Sequence, residues 1–341
     1  MNIFPYENIT NSKISNFMLQ KNPSLQCTVC GTQFGGLTQF NIYCCKSCGR
    51  QHIICPTCAT AIPPCPSCNG CLLPNDIYIE KYGITDIYGN KYSVKGKLLH
   101  AIANQSKVVA KIPTFYQNLP ETHRYASYDF CYTYFQTHKG HLATDMEKSC
   151  YCLWSYLGSW GMLRGSSQLL QCSPAALIPL IQYFDCIANS PIWTIDVPQY
   201  MQGNNRQIIL DVYNTIYKII KAQVFHNQGG VSVTLVTKIM LGVFGVVPAF
   251  DTYFKQTFHN LISLSNGKPI PFSSTVGDNQ LYAIYIFYLI FKPVLDIIKI
   301  YNTNIEGKQN EIPYKIAKLI DMFGFMYSLQ SNADKDAVNP D

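Results

Sequence analysis

Cysteines separated by two residues recur four times in a short stretch: CTVC (Cys27, Cys30), CKSC (Cys45, Cys48), CPTC (Cys55, Cys58) and CPSC (Cys65, Cys68). With Cys44 and Cys71 they account for ten of the chain's 15 cysteines. A thiolate pair at this spacing sits on a tight turn whose backbone amides point at the sulfurs. Two such pairs form a tetrahedral cage suited to Zn2+, so four pairs predict two ions. A disulfide framework would need an oxidising compartment. Residues 1–21 are polar and mixed, not charged and then apolar, so no secretory route is expected and a cytoplasmic protein is.

Two pairings of these ligands are open. In the sequential one, Cys27, Cys30, Cys45 and Cys48 hold the first ion, and Cys55, Cys58, Cys65 and Cys68 hold the second, as in a double zinc ribbon. In the cross-brace, Cys27, Cys30, Cys55 and Cys58 hold one ion, and Cys48, His52, Cys65 and Cys68 hold the other, an order that resembles a RING finger. The glycine after CTVC and CKSC lets a knuckle turn take positive φ. Only six residues separate Cys58 from Cys65, which is tight for a brace. Both points favour the ribbons. Either way each ion has four protein ligands, so both are structural and not catalytic.

The elements around this module follow from composition and periodicity. The chain has 341 residues, 48% apolar and only 13% charged, with a net charge of +6. Residues 1–80 carry four cations against three carboxylates. That is not the basic footprint of a protein held to nucleic acid by phosphate contacts alone. The apolar runs 240–250 and 281–291 are too short for a bilayer and read as buried core helices, so no stable membrane insertion is expected. The predicted order is a polar lead-in (1–26) with a short helix at 14–19, the two-zinc module (27–71), a β-rich bridge (76–112), a helical domain (120–330) and a flexible tail (331–341). The class is therefore mainly α. Three-to-four spacing places helices at 145–157, 174–187, 204–223, 233–243, 249–264, 281–300 and 313–329. Ser232 is a candidate cap, and Pro313 a first-turn residue of the last helix.

Within the helical part, Arg164 stands between glycines and before Ser166 and Ser167. This group could hold a phosphate or carboxylate by forked hydrogen bonds, or Arg164 could fix a helix junction by stacking on Trp160 or pairing with Asp145 or Glu147. Lys238 lies in a helix opened by Gly229-Gly230, and Asp251 follows the Pro248 break as a candidate base or electrostatic partner, or else as a helix-end charge. Arg164, Lys238 and Asp251 are expected to line one polar face. Cys131, Cys150, Cys152, Cys172 and Cys186 read as small buried hydrophobes. His138 and His141 read as an exposed loop.

Four segments resemble a known group: RYASYDFCYTYF (124–135), CLWSYLGSWGMLRGSSQLLQ (152–171), LVTKIMLGVFGVVPAFDTYF (235–254) and YKIAKLIDMFGF (314–325). Together they are similar to a widespread family of uncharacterised bacterial proteins with a YLASWGMLRGSS-like core. That resemblance covers most of 124–325. It implies a mostly helical bacterial domain and no particular activity. Thr252 stands where the family pattern has a basic residue. The order Gly229-Gly230, Lys238, Asp251 also loosely resembles the helix-hairpin-helix DNA glycosylases, although GVS replaces their usual G-x-G. The sequence therefore supports a zinc-binding protein whose helical domain meets or processes nucleic acid. Its alternative is a non-catalytic adaptor that docks proteins through the zinc module, with RING-like ubiquitin transfer a third option. Oligomeric state is open.

Overall fold

The structure is a computed structural model that describes residues 26–34, 40–86, 89–92, 112, 122–165, 167–261, 270–304, 306 and 309–338. The helix expected at 14–19, residues 93–111 of the expected β-rich bridge, and Ser166 lie outside them. The chain forms two compact units. One comprises residues up to 118 together with 260–269 and 286–299, and the other comprises the remainder.

The first unit is organised by a three-stranded antiparallel sheet. Its central strand β1 (Asn41–Cys45) pairs with β2 (Gln51–Ile54) on one side and β3 (Leu72–Pro74) on the other. Helix α1 (Pro56–Ala59) starts at Cys55, whose sulfur accepts from the Cys58 amide, with Pro56 in the first turn. The stretch expected as a β-bridge begins instead as helix α2 (Asn75–Tyr82). Its alternation of apolar and polar residues is too short to separate the two periods. Among the described residues of that stretch, β4 (Ile84–Thr85) and β5 (Lys91–Tyr92) pair, and Asp86 accepts from the Asn90 backbone and side chain to close that turn.

The second unit is helical: α3 (Ser127–Thr137), α4 (Met146–Ser159), α5 (Ile178–Cys186), α6 (Asn205–Ile219), α7 (Val233–Phe244) and α8 (Thr252–Leu261). Helix α9 (Asp278–Leu295) follows, and its residues from 286 onward belong to the first unit. The hairpin β6 (Tyr301–Thr303) and β7 (Gln309–Pro313) then leads to α10 (Ile316–Val338). Local sequence explains several boundaries. Ser232 caps α7, accepting from the Leu235 amide at 3.1 Å, and Gly245 ends it at φ +63° with its amide on Leu241 O. Pro313 ends β7, so it is not a first-turn residue of α10. A distant side chain caps that helix, since Asp196 accepts from Ile316 N at 2.7 Å and Ala317 N at 3.0 Å. The apolar run 240–250 is buried throughout, but only its first half is helical. No helix among the described residues is long and apolar enough to cross a membrane.

Candidate metal centres and a buried charged cluster

The eight paired cysteines form two groups, Cys27–Cys30–Cys55–Cys58 and Cys45–Cys48–Cys65–Cys68, each with its four sulfurs within 4.8 Å of one another. The pairing is therefore interleaved. It replaces the sequential ribbons, and it keeps Cys45 where the cross-brace reading had His52. Hairpin length gives the reason. CKSC is the turn that joins β1 to β2, with Gly49 N on Cys45 O at 2.9 Å, so Cys45 and Cys48 sit at the closed end. Cys55 follows β2 at the open end. There Thr28 N reaches Ile53 O at 2.9 Å and Cys55 N reaches Cys27 Sγ at 3.4 Å. A strand of four residues spans about 13 Å, too far for Cys27 and Cys45 to share an ion. At the closed end, Lys46 N on Cys71 O (2.9 Å) holds the CPSC loop beside CKSC.

The donor geometry fits a tetrahedral thiolate site. Four sulfurs bonded to zinc at about 2.3 Å lie roughly 3.8 Å apart. Here Cys30–Cys55 is 3.7 Å, Cys48–Cys65 is 3.8 Å and Cys45–Cys68 is 3.4 Å. Knuckle amides point at the sulfurs, with Ser47 N on Cys45 and Ser67 N on Cys65 both at 3.4 Å. The residue after three of the pairs takes the left-handed conformation: Gly31 (φ +73°), Gly49 (φ +71°) and Asn69 (φ +57°). After the fourth, Ala59 continues a helix. These knuckle conformations are common to both pairings, which is why glycine could not discriminate between them.

The remaining candidates fall outside the two groups. His52 is buried on β2, and its Nε2 is 3.3 Å from Cys65 Sγ, placed to donate to a ligand sulfur. Strand alternation sends Cys44 to the face opposite Cys45, where its thiol donates to Gly49 O at 3.2 Å. Burial pushes that thiol up to about 12, so it stays protonated. Cys71 is exposed and joins neither group.

In the helical unit the four motif segments converge on one set of charges. Lys238 on α7 is 5% exposed, donates to Trp160 O and lies 3.9 Å from the Asp251 carboxylate. Asp251 also caps α8, accepting from Phe254 N at 3.0 Å. Sequence reasoning missed the second pair, Lys318 and Asp321 on α10, which are 0% and 6% exposed and 2.9 Å apart. Asp321 accepts from Ala249 N at 3.0 Å, and Thr237 Oγ1 from Phe250 N at 2.9 Å, so α10 and α7 together fix the PAFD loop. The Trp160 ring lies against both ammoniums, with Lys318 Nζ 4.3 Å and Lys238 Nζ 5.7 Å from its centroid. Burial lowers the Lys238 pKa against the pull of Asp251 and Asp321, with Arg164 and Lys318 lowering it further. Burial raises that of Asp251, against Lys238.

Arg164 is exposed, and its guanidinium folds back over Gly161. The φ of +80° at Gly161 favours glycine, whereas the Arg164 Nε that a Cβ there would meet at 2.8 Å is the far end of an exposed side chain that can move aside. Neither Asp145 nor Glu147 pairs with Arg164 among the described residues. Ser167 does not face outward as an anion ligand, since its hydroxyl donates to Met162 O at 2.7 Å. Gly229 lies at φ +73° against the Gln168 side chain, and Gly230 has open space, so the pair makes an interhelical turn. His138 is tied to Tyr134 O at 3.0 Å. No family model, curated protein or solved structure matches the chain.

Proposed function

We propose that the Cys-rich module binds two structural zinc ions and that the chain works as a non-catalytic interaction protein, docking a protein partner through the loops of the first metal group. The carrying observation is that all four positions of each group are filled by thiolates, which leaves no open position for water or substrate. The loops around the first group also expose apolar side chains, Val29 within CTVC (38% exposed) and Ile62 after α1 (51%). Residues 1–80 are near neutral. Exposed apolar groups on a near-neutral surface suit a protein partner better than a phosphate backbone. The interleaved order also favours the RING-like option over ribbons, so ubiquitin transfer is the second activity to assay.

The test is affinity capture with the zinc-loaded full chain and with a Val29→Asp/Ile62→Asp variant that retains two zinc ions. Loss of a defined protein partner in the variant supports docking. Identical capture by both, or recovery of nucleic acid that nuclease treatment removes, refutes it. Release of ubiquitin from a charged conjugating enzyme, lost on chelation, would turn the reading to transfer.

A further inference from the structure

We propose that the partner docked by the first metal group is a protein segment that sets an arginine or lysine among apolar side chains, an inference that deepens the docking reading above and rests on it and on bound zinc.

Charge distinguishes the two metal groups. Four thiolates around one Zn2+ leave each group with two surplus negative charges. At the second group, cations stand in the ligand loop itself. Lys46 lies inside CKSC, and Arg50 follows Cys48 closely, its carbonyl accepting from Cys45 N at 2.9 Å. Both side chains are exposed beside the closed end of the hairpin. The first group has no such screen in its own loops. Its ligands come from residues 26–34 and 51–64, and neither stretch contains a lysine, arginine, aspartate or glutamate. Every exposed position in them is neutral polar or apolar, apart from the ligand Cys30.

That surplus charge is within reach of a partner. Cys30 is exposed and Cys58 half-buried, whereas Cys27 and Cys55 are buried, so the group meets solvent on its Cys30 and Cys58 side. Thr32 Oγ1, 3.1 Å from Cys30 Sγ, is placed to donate to a thiolate there. A neutral hydroxyl leaves the charge itself uncompensated.

The exposed apolar side chains belong to the same loops. Val29 stands between Cys27 and Cys30, and Ala61, Ile62 and Pro64 follow Cys58 within six residues. A partner that covers them also removes water from the thiolates beside them. Desolvating uncompensated charge is costly, so a wholly apolar partner is disfavoured, and an acidic segment or a phosphate backbone is repelled. A guanidinium or ammonium supplies both the counter-charge and N–H donors for sulfur. Apolar neighbours on the same segment then pack on Val29 and Ile62.

The probe is a randomised short-peptide library displayed on phage, selected on the zinc-loaded full chain and counter-selected on a Val29→Ser/Ile62→Ser variant that retains both zinc ions. Enriched peptides should carry arginine or lysine beside apolar residues and few carboxylates. Ala61 is exposed and is not a ligand, so it can carry a test charge without touching the metal. Ala61→Lys should weaken the selected peptides about fivefold or more at low salt, with the loss shrinking as salt is raised, and Ala61→Glu should not weaken them. Enrichment of acidic or wholly apolar peptides, or equal weakening by the two Ala61 substitutions, overturns the cation requirement and leaves apolar docking standing. If no peptide prefers the native chain to the Val29→Ser/Ile62→Ser variant, the docking reading itself falls, and this inference with it.

Discussion

Pro293 leaves the Leu289 carbonyl without its helical donor, and the side-chain amide of Gln51 takes that place, with Nε2 3.3 Å from Leu289 O and 3.4 Å from Ile290 O. Asn75 adds a second amide on Ile290 O at 3.3 Å. A proline in a helix interior strands the carbonyl four residues earlier, and burial would make that expensive. Gln51 is the neighbour of His52, so the strand that touches the second metal group also completes α9. This is why residues 286–299 belong with the Cys-rich unit although more than 200 positions separate them in sequence.

Gln51→Ala should therefore lower stability by about 1–3 kcal/mol, the cost of a stranded buried carbonyl. Pro293→Ala restores a backbone N–H at position 293, so in that background the same substitution should cost much less. Thermal unfolding of the four zinc-loaded proteins gives the coupling. An equal cost in both backgrounds would mean that Gln51 does not serve this carbonyl.

Interleaving makes a sharp prediction about metal content. Cys27 and Cys58 belong to one group, so the Cys27→Ser/Cys58→Ser double variant should lose one zinc ion of two, no more than either single change. Cys58→Ser/Cys65→Ser spans both groups and should lose both ions. Sequential ribbons would give the opposite pattern in elemental analysis. His52→Ala should keep two ions while speeding chelator release from the second group, because it removes only a donor to Cys65.

The ligand set was legible because CxxC spacing is a local property, whereas the pairing depends on how far a hairpin carries one knuckle from another. Ser232 was legible for the same reason: a cap bonds within its own turn. Asp196, Asp321 and Gln51 were not, because each satisfies backbone groups more than 70 residues away. Lys318 and Asp321, three apart on a helix, read like a solvated pair. The available signal was their setting in an otherwise wholly apolar run from Ala317 to Phe323. Arg164, Lys238 and Asp251 stood out for that kind of reason, as scarce charges in apolar or glycine-marked segments.

Glycine roles show the same limit. Gly158 and Gly165 are not sites of close helix packing: a Cβ at Gly165 meets nothing, and at Gly158 it meets only the Leu163 side chain, at 3.0 Å. The close approach is at Gly242 on α7, where a Cβ would stand 2.4 Å from the Tyr156 ring. Tyr156 is fully buried and its hydroxyl donates to Lys238 O at 3.1 Å, so it cannot yield. Gly242→Ala should cost about 1–3 kcal/mol or more through overpacking, while Gly165→Ala pays only for its positive φ. Comparable losses in urea unfolding would contradict the packing argument.

Lys315 supplies the last test, through a buried ammonium that acts as a distant helix cap. Its Nζ donates to Trp193 O at 2.9 Å, Ile195 O at 3.0 Å and Phe244 O at 2.7 Å, the last being the final carbonyl of α7. Asp196, which caps α10, is its counter-charge. Lys315→Met should destabilise the helical unit by about 3 kcal/mol or more, since it strands three carbonyls and leaves Asp196 uncompensated. Burial, opposed by Asp196, lowers the Lys315 pKa from 10.5 to about 8. Between those two values the unfolded chain holds a proton that the folded chain has released. This group therefore makes stability rise with pH from about 8 toward 10.5, and it imposes its full penalty below 8. Other groups titrate in the same range, so the measurement is the difference in slope between wild type and Lys315→Met. The variant should show a flatter pH dependence of unfolding free energy in that window. Parallel slopes would mean that the ammonium keeps its proton throughout, held by the three carbonyls.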